Sequence, residues 1–167
     1  MRSLIERAAT WWALLGGLIL FVIVFVTVCN VAAFALDKLA RLLGGTVSGL
    51  PGYEDFVRLA ISAAALTLLP YCQLKRGHVV VDLFAGMMPR AMGQALTRIS
   101  LVAMAALAVF LAYWMAVGMQ ETRADGALSR VLGWPEWPFY LPGIVSLILW
   151  ALVAAHQALA GGDDERA

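Results

Sequence analysis

Charge is scarce in this chain, and from long stretches it is missing altogether. Only 14% of the 167 residues are Asp, Glu, Lys or Arg, against 62% apolar, far from the balance of an ordinary soluble domain. Ala8–Leu36, Leu59–Leu74, Ile99–Gln120 and Trp137–Gly162 contain no charged side chain at all. Cysteine is equally sparse. Cys29 and Cys72 both fall inside such a run or at its end, where they act as small apolar residues, and without paired loop cysteines thiol-oxidoreductase chemistry has no basis. No P-loop, acidic metal cluster or Ser/His/Asp arrangement can be assembled, so neither an enzyme active site nor a cofactor is expected. A net charge of +1 gives no electrostatic case for nucleic acid.

What is present is hydrocarbon length. A helix rises about 1.5 Å per residue, so roughly 20 residues cross a hydrocarbon layer of about 30 Å. Three of the runs reach that length outright, and the second does so if Phe56, Val57 and a snorkelling Arg58 form its end. The expected fold is an all-α membrane protein, a single domain of four transmembrane helices near residues 11–36, 56–74, 99–120 and 139–160. A short amphipathic interfacial helix is expected between the second and third, and a disordered acidic tail over 161–167. The first run is too long for the apolar core of a cleaved leader.

Orientation follows the Lys and Arg count of the short connections. An inside N-terminus places Arg2, Arg7, Lys75, Arg76, Arg90, Arg98 and Arg166 on the cytoplasmic side, against Lys38, Arg41, Arg58, Arg123 and Arg130 outside. Both termini are therefore read as cytoplasmic. Trp11, Trp12, Tyr71, Trp134, Trp137 and Tyr140 stand at span ends, where aromatic residues anchor at the membrane–water boundary.

The connections carry further signals. Leu36, Leu39, Leu42 and Leu43 keep helical spacing, with Asp37, Lys38 and Arg41 on the other side, so the first helix runs on past the charge-free segment. Gly44-Gly45 and Gly49-Leu50-Pro51-Gly52 break it; the role of this Gly44–Gly52 linker is open. Glu54 and Asp55 open the second helix where its dipole favours acidic groups. From Arg90, the polar residues Arg90, Gln94, Thr97 and Arg98 oppose Met92, Ala95, Leu96 and Ile99. This pattern suits a helix on the membrane surface before the third span, or one against a partner. Pro138 and Pro142 are tolerable only in a first turn, which starts the fourth helix near Phe139.

Intramembrane charge marks a transport pathway by default, and the centres of these spans hold none. Nor are broken helices around a midplane site obvious. Gly16-Gly17 reads as a close helix contact. His78 and His156 are the only histidines and would both lie near the cytoplasmic face. A bis-histidine haem between them is geometrically conceivable, but His78 sits in a glycine-containing turn, which favours an exposed or hydrogen-bonded side chain.

Three segments carry a resemblance: Tyr53-Glu54-Asp55-Phe56-Val57-Arg58 at the start of the second helix, Lys75-Arg76-Gly77-His78-Val79-Val80-Val81-Asp82 after it, and Trp137-Pro138-x-Tyr140-x-Pro142-Gly143 at the start of the fourth. In order and spacing they resemble the small membrane subunit of tripartite ATP-independent periplasmic (TRAP) transporters, the DctQ-like family. That resemblance implies a multi-pass protein of the bacterial inner membrane, in contact with membrane lipid, in complex with a large DctM-like membrane subunit and a periplasmic solute-binding protein. It further implies that the chain braces ion-coupled uptake of a carboxylate such as a C4-dicarboxylate or sugar acid. The partner-interface candidates are Glu54, Arg58, Arg76, Gly77, His78, Asp82, Trp137, Pro138, Tyr140 and Pro142, with the Met104, Phe110 and Met115 region of the third span expected to pack on the large subunit. A small multidrug exporter requires a carboxylate in its first span, and none is there. A haem-bearing electron-transfer subunit and a membrane assembly factor without a transport partner remain as alternatives.

Overall fold

The computed structural model describes residues 2–75 and 90–160. Arg76, Gly77, His78, Asp82 and the acidic tail lie outside the described residues. Among the described residues five α-helices follow in order: α1 (Arg2–Leu42), α2 (Tyr53–Thr67), α3 (Leu69–Leu74), α4 (Arg90–Ala124) and α5 (Tyr140–Ala160). With α2 and α3 taken as one crossing, four helices are long and apolar enough to span a membrane. The all-helical, four-span architecture read from the charge-free runs is what forms.

α1 has 41 residues and is about 62 Å long. Its end is local chemistry. The Gly45 N–H donates to the Ala40 carbonyl (2.8 Å) and that of Gly44 to Arg41 (3.2 Å), with Gly44 at φ 80°, a Schellman cap. Asp37 and Arg41 pair at 2.8 Å one turn before it.

The second crossing is interrupted where continuity was expected. Pro70 has no amide to donate to the carbonyl of Leu66, and its ring crowds that carbonyl. The Leu68 N–H falls back to Ala65 at 3.4 Å, and regular bonding resumes with Cys72 N–H to Leu68 at 2.9 Å. This break lies near the end of the crossing, with only the six-residue α3 beyond it. α4 is a single helix of 35 residues. Arg90–Arg98, expected to lie along the surface before a turn, is instead continuous with the third span. No proline occurs between Pro89 and Pro135 to interrupt its ladder.

α5 is the hub, packing against α1, α2, α3 and α4, while α1 lies on α2 and α3. Ile23 of α1 meets Ala60 and Ala64 of α2, flanked by Ile19, Leu20, Phe56 and Val57. Ala108 and Ala112 of α4 meet Leu147, Trp150 and Ala151 of α5, with Leu69, Met104 and Met115 around them. Small side chains let backbones approach where hydrocarbon solvent supplies no drive to bury apolar area. Gly16 takes this furthest: a Cβ there would lie 1.8 Å from Thr67 Oγ1, whereas one on Gly17 would meet nothing within 4 Å. Met104 and Met115 thus belong to the core, while Phe110 points away at 58% exposure. The three do not share one partner-facing surface.

Candidate functional site

Among the described residues no charge enters the middle of the bundle, yet polar side chains hold it at three levels. At the end carrying the 43–52 and 125–139 connections, the linker folds back along α1. The Val47 N–H donates to Asp37 Oδ1 and the Leu50 N–H to Asn30 Oδ1, both at 2.9 Å. Asn30 and Asp37 are seven residues apart and therefore share one helix face. Gly49 passes so close that a Cβ would stand 3.0 Å from Asn30 Oδ1 and 3.1 Å from Phe34 Cζ. The linker with no assigned role is a strap bound to its own helix.

Beside it, Asp55 fastens the connection between α4 and α5. Its Oδ2 accepts the N–H groups of Val131 (2.7 Å) and Leu132 (3.1 Å). The loop is shaped by the Ser129 N–H to the Trp134 carbonyl (2.8 Å), the Glu136 N–H to Ala127 (3.1 Å) and the Trp134 N–H to Ser129 Oγ (3.1 Å). Gly52, at φ 79°, starts α2 against it; a Cβ would come within 2.5 Å of Leu132. Asp37 and Asp55 both lie outside the charge-free runs. The amide of Val131, then that of Leu132, holds the Asp55 carboxyl below the usual carboxylate range against an opposing burial effect. The amide of Val47 and the Arg41 guanidinium do the same for Asp37.

The Asp55 latch has a defined pH response. A carboxyl whose folded value lies below its unfolded value of about 3.9 contributes fully above that value, and the contribution is lost as pH falls through the folded one. Amide hydrogen exchange at Val131 and Leu132 should therefore stay protected from pH 7 to about 5 and lose protection below about 4. Asp55→Ala should raise their exchange on the order of tenfold from pH 7 to about 5, and the difference from the wild type should vanish as pH falls through the folded value of Asp55. Equal protection in the variant would contradict the latch.

The sequence candidates at this end occupy different roles. Glu54 is exposed, and its neighbour Asp55 makes the contacts. Arg58 pairs with Glu136 across to the loop. Trp137 and Pro138 form a 3-10 turn with Phe139, and the Arg123 guanidinium lies 5.0 Å over the Trp137 ring. Tyr140 Oη stands 3.3 Å from the Thr122 hydroxyl. The Pro142 carbonyl accepts the Ser146 hydroxyl at 2.5 Å, and Ser146 Oγ in turn accepts the Trp12 indole N–H at 2.8 Å. Trp12 is therefore a clasp between α1 and α5 rather than a boundary anchor; its indole donor finds a hydroxyl inside the bundle.

The third level joins α3 to α5. Buried Gln73, 3% exposed, donates from Nε2 to Gln157 Oε1 (2.8 Å) and accepts the Trp150 indole N–H at Oε1 (3.1 Å). Gln157 Nε2 donates back to the Gln73 carbonyl at 3.1 Å, an acceptor left over at the end of α3. Sequence reasoning passed over Asn30, Gln73, Ser146 and Gln157, and gave Asp55 only the opening of its helix. Their signal was available: an amide or carboxyl in or beside an apolar run needs a partner.

Comparison with known proteins extends this picture. No curated protein and no solved structure matches the chain. Residues 31–161 match the family model described as tripartite ATP-independent periplasmic transporters, DctQ component. That match takes in the strap, the Asp55 latch, the Gln73 clasp and all of α2 to α5. A multi-pass membrane protein with this helix order and this extent of match belongs to the DctQ component family of tripartite ATP-independent periplasmic transporters.

Proposed function

We propose that this chain is a bracing subunit without a solute path of its own. It holds a large DctM-like subunit in the bacterial inner membrane while that subunit performs ion-coupled uptake of a carboxylate or other organic acid, delivered by a periplasmic solute-binding protein. Both termini lie in the cytoplasm in this reading, which makes the strap and the Asp55 latch periplasmic. One observation carries the proposal: among the described residues the buried polar side chains are paired within the chain, most of them across helices or to a loop. Gln73 is paired with Gln157 and Trp150, Ser146 with Trp12, and Asp55 with a loop. A transport pathway uses polar groups that are left open toward a solute, whereas these lock helices in place.

Glu54, Arg58, Trp137 and Pro138 are the proposed contacts at the periplasmic end, beside Tyr140 and Pro142. Arg76, Gly77, His78 and Asp82 are the proposed contacts at the cytoplasmic end. The test is co-expression with the DctM-like protein of the same organism and purification through a tag on this chain. The large subunit should co-purify, and uptake should require both chains. Recovery of this chain alone, with the large subunit fully active in its absence, would reject the assignment. So would solute accumulation in liposomes containing only this chain.

A further inference from the structure

α4 turns one side to α5 and the other away from the bundle. Ala108 and Ala112, with Met104 and Met115, form the inner stripe. Around the opposite side stand Ala103, Ala106, Phe110, Tyr113 and Trp114, all exposed. The three aromatic rings form one cluster. Phe110 and Trp114 meet edge-on with centroids 6.3 Å apart, and Tyr113 and Trp114 do so at 5.7 Å. Among the described residues neither the Tyr113 hydroxyl nor the Trp114 indole N–H has a hydrogen-bond acceptor.

Their depth makes this unusual. Tyr113 lies eight residues from Glu121 and fifteen from Arg98, about 12 Å and 22 Å along the helix axis. Between two such charges stands a hydrocarbon layer of about 30 Å, so both donors sit well inside it. Tyrosine and tryptophan normally station their polar atoms at the membrane boundary. At this depth acyl chains offer no acceptor, and an unmet donor costs free energy.

We propose that this outward face of α4 is the docking strip for one transmembrane helix of the large subunit, and that this helix brings hydrogen-bond acceptors to Tyr113 and Trp114. The inference rests on the bracing reading and names its contact surface. Electrostatic complementarity selects the occupant: two donors carrying partial positive charge require acceptors, which a helix bearing hydroxyl, carboxamide or freed carbonyl groups supplies. Shape selects it too. The strip is narrower at Ala103 and Ala106, beside the half-exposed Leu107, and widest at Phe110, Tyr113 and Trp114, so a partner helix that is bulkier, then smaller, along the same direction fits it. A second copy of this chain in parallel register would set aromatic residues against aromatic residues and alanines against alanines, without that size match.

The experiment uses the co-expressed two-subunit complex in mild detergent. Tyr113→Phe with Trp114→Phe removes both donors and keeps an aromatic ring at each position, and recovery of the large subunit through the tagged chain should fall about tenfold. The isolated variant should unfold at the same temperature as the wild type, since neither donor is bonded within the chain. A photo-crosslinking benzoylphenylalanine at position 114 should yield an adduct with the large subunit, and one at Phe21 of α1 serves as comparison. Unchanged recovery, or crosslinks from position 114 to lipid alone or to a second copy, would overturn this inference while leaving the bracing role intact. Failure of the wild-type chain to recover the large subunit at all would overturn both.

Discussion

Gly16→Leu should drive α1 away from α2 and cost about 3 kcal/mol, at the upper end for an overpacked contact. Gly17→Leu, one residue on, should change stability by no more than about 0.5 kcal/mol. The contrast comes from the crossing point. A Cβ on Gly16 would stand 1.8 Å from Thr67 Oγ1, 2.9 Å from Thr67 Cβ and 3.3 Å from the Ala64 carbonyl oxygen. Thr67 cannot easily swing aside, because it is 2% exposed and its hydroxyl donates to the Ala64 carbonyl at 2.6 Å. The carbonyl is backbone and moves only with the whole helix. Thermal unfolding in detergent reads the difference between the two variants directly. Thr67→Ala should partly restore Gly16→Ala, since it removes the hydroxyl oxygen but keeps the Cβ. Equal behaviour of the two leucine variants would show that α1 and α2 do not cross at Gly16.

Gln73→Leu should be the next most damaging change, at about 2–3 kcal/mol, from two lost side-chain hydrogen bonds and the partners left in an apolar interior. For a chain of this length that corresponds to a fall of roughly 5–10 °C in the thermal midpoint. The indole N–H of Trp150 loses its Gln73 acceptor, and Gln157 Oε1 loses its donor. Removing the second amide as well should help. Gln73→Leu with Gln157→Leu should recover part of the loss, because replacing both partners by apolar groups costs less than stranding one. A double variant less stable than the sum of the two singles would contradict this account.

The sequence disclosed the architecture through its charge-free runs, since a mid-bilayer Lys, Arg or Asp is too costly to place casually. The long α1 was legible in Leu36, Leu39, Leu42 and Leu43 and in the Asp37–Arg41 spacing, because helix neighbours three and four apart are fixed by geometry. Pairings at long range were not legible. Asn30 with Leu50, Asp55 with Val131 and Gln73 with Gln157 join positions 20, 76 and 84 residues apart, and each needs the bundle to form first. Trp12 was misread for the same reason: its depth in the chain suggested a boundary, while its partner Ser146 comes from the last helix. The break after Leu68 was visible as Pro70 but was absorbed into an apolar run. The continuous α4 shows the opposite error, a surface helix inferred from a two-sided pattern that the front of a long helix displays equally well.

The reach of α1 has one more consequence. Its uncharged portion, Ala8–Leu36, extends about 43 Å, longer than a slab of about 30 Å, and the excess is taken up by leaning of the helix and by running past the slab. Thickness of the surrounding lipid therefore acts on this chain as a mechanical load. Longer acyl tails relieve the mismatch and shorter ones aggravate it, so the posture of the first helix is set by the bilayer as well as by the protein.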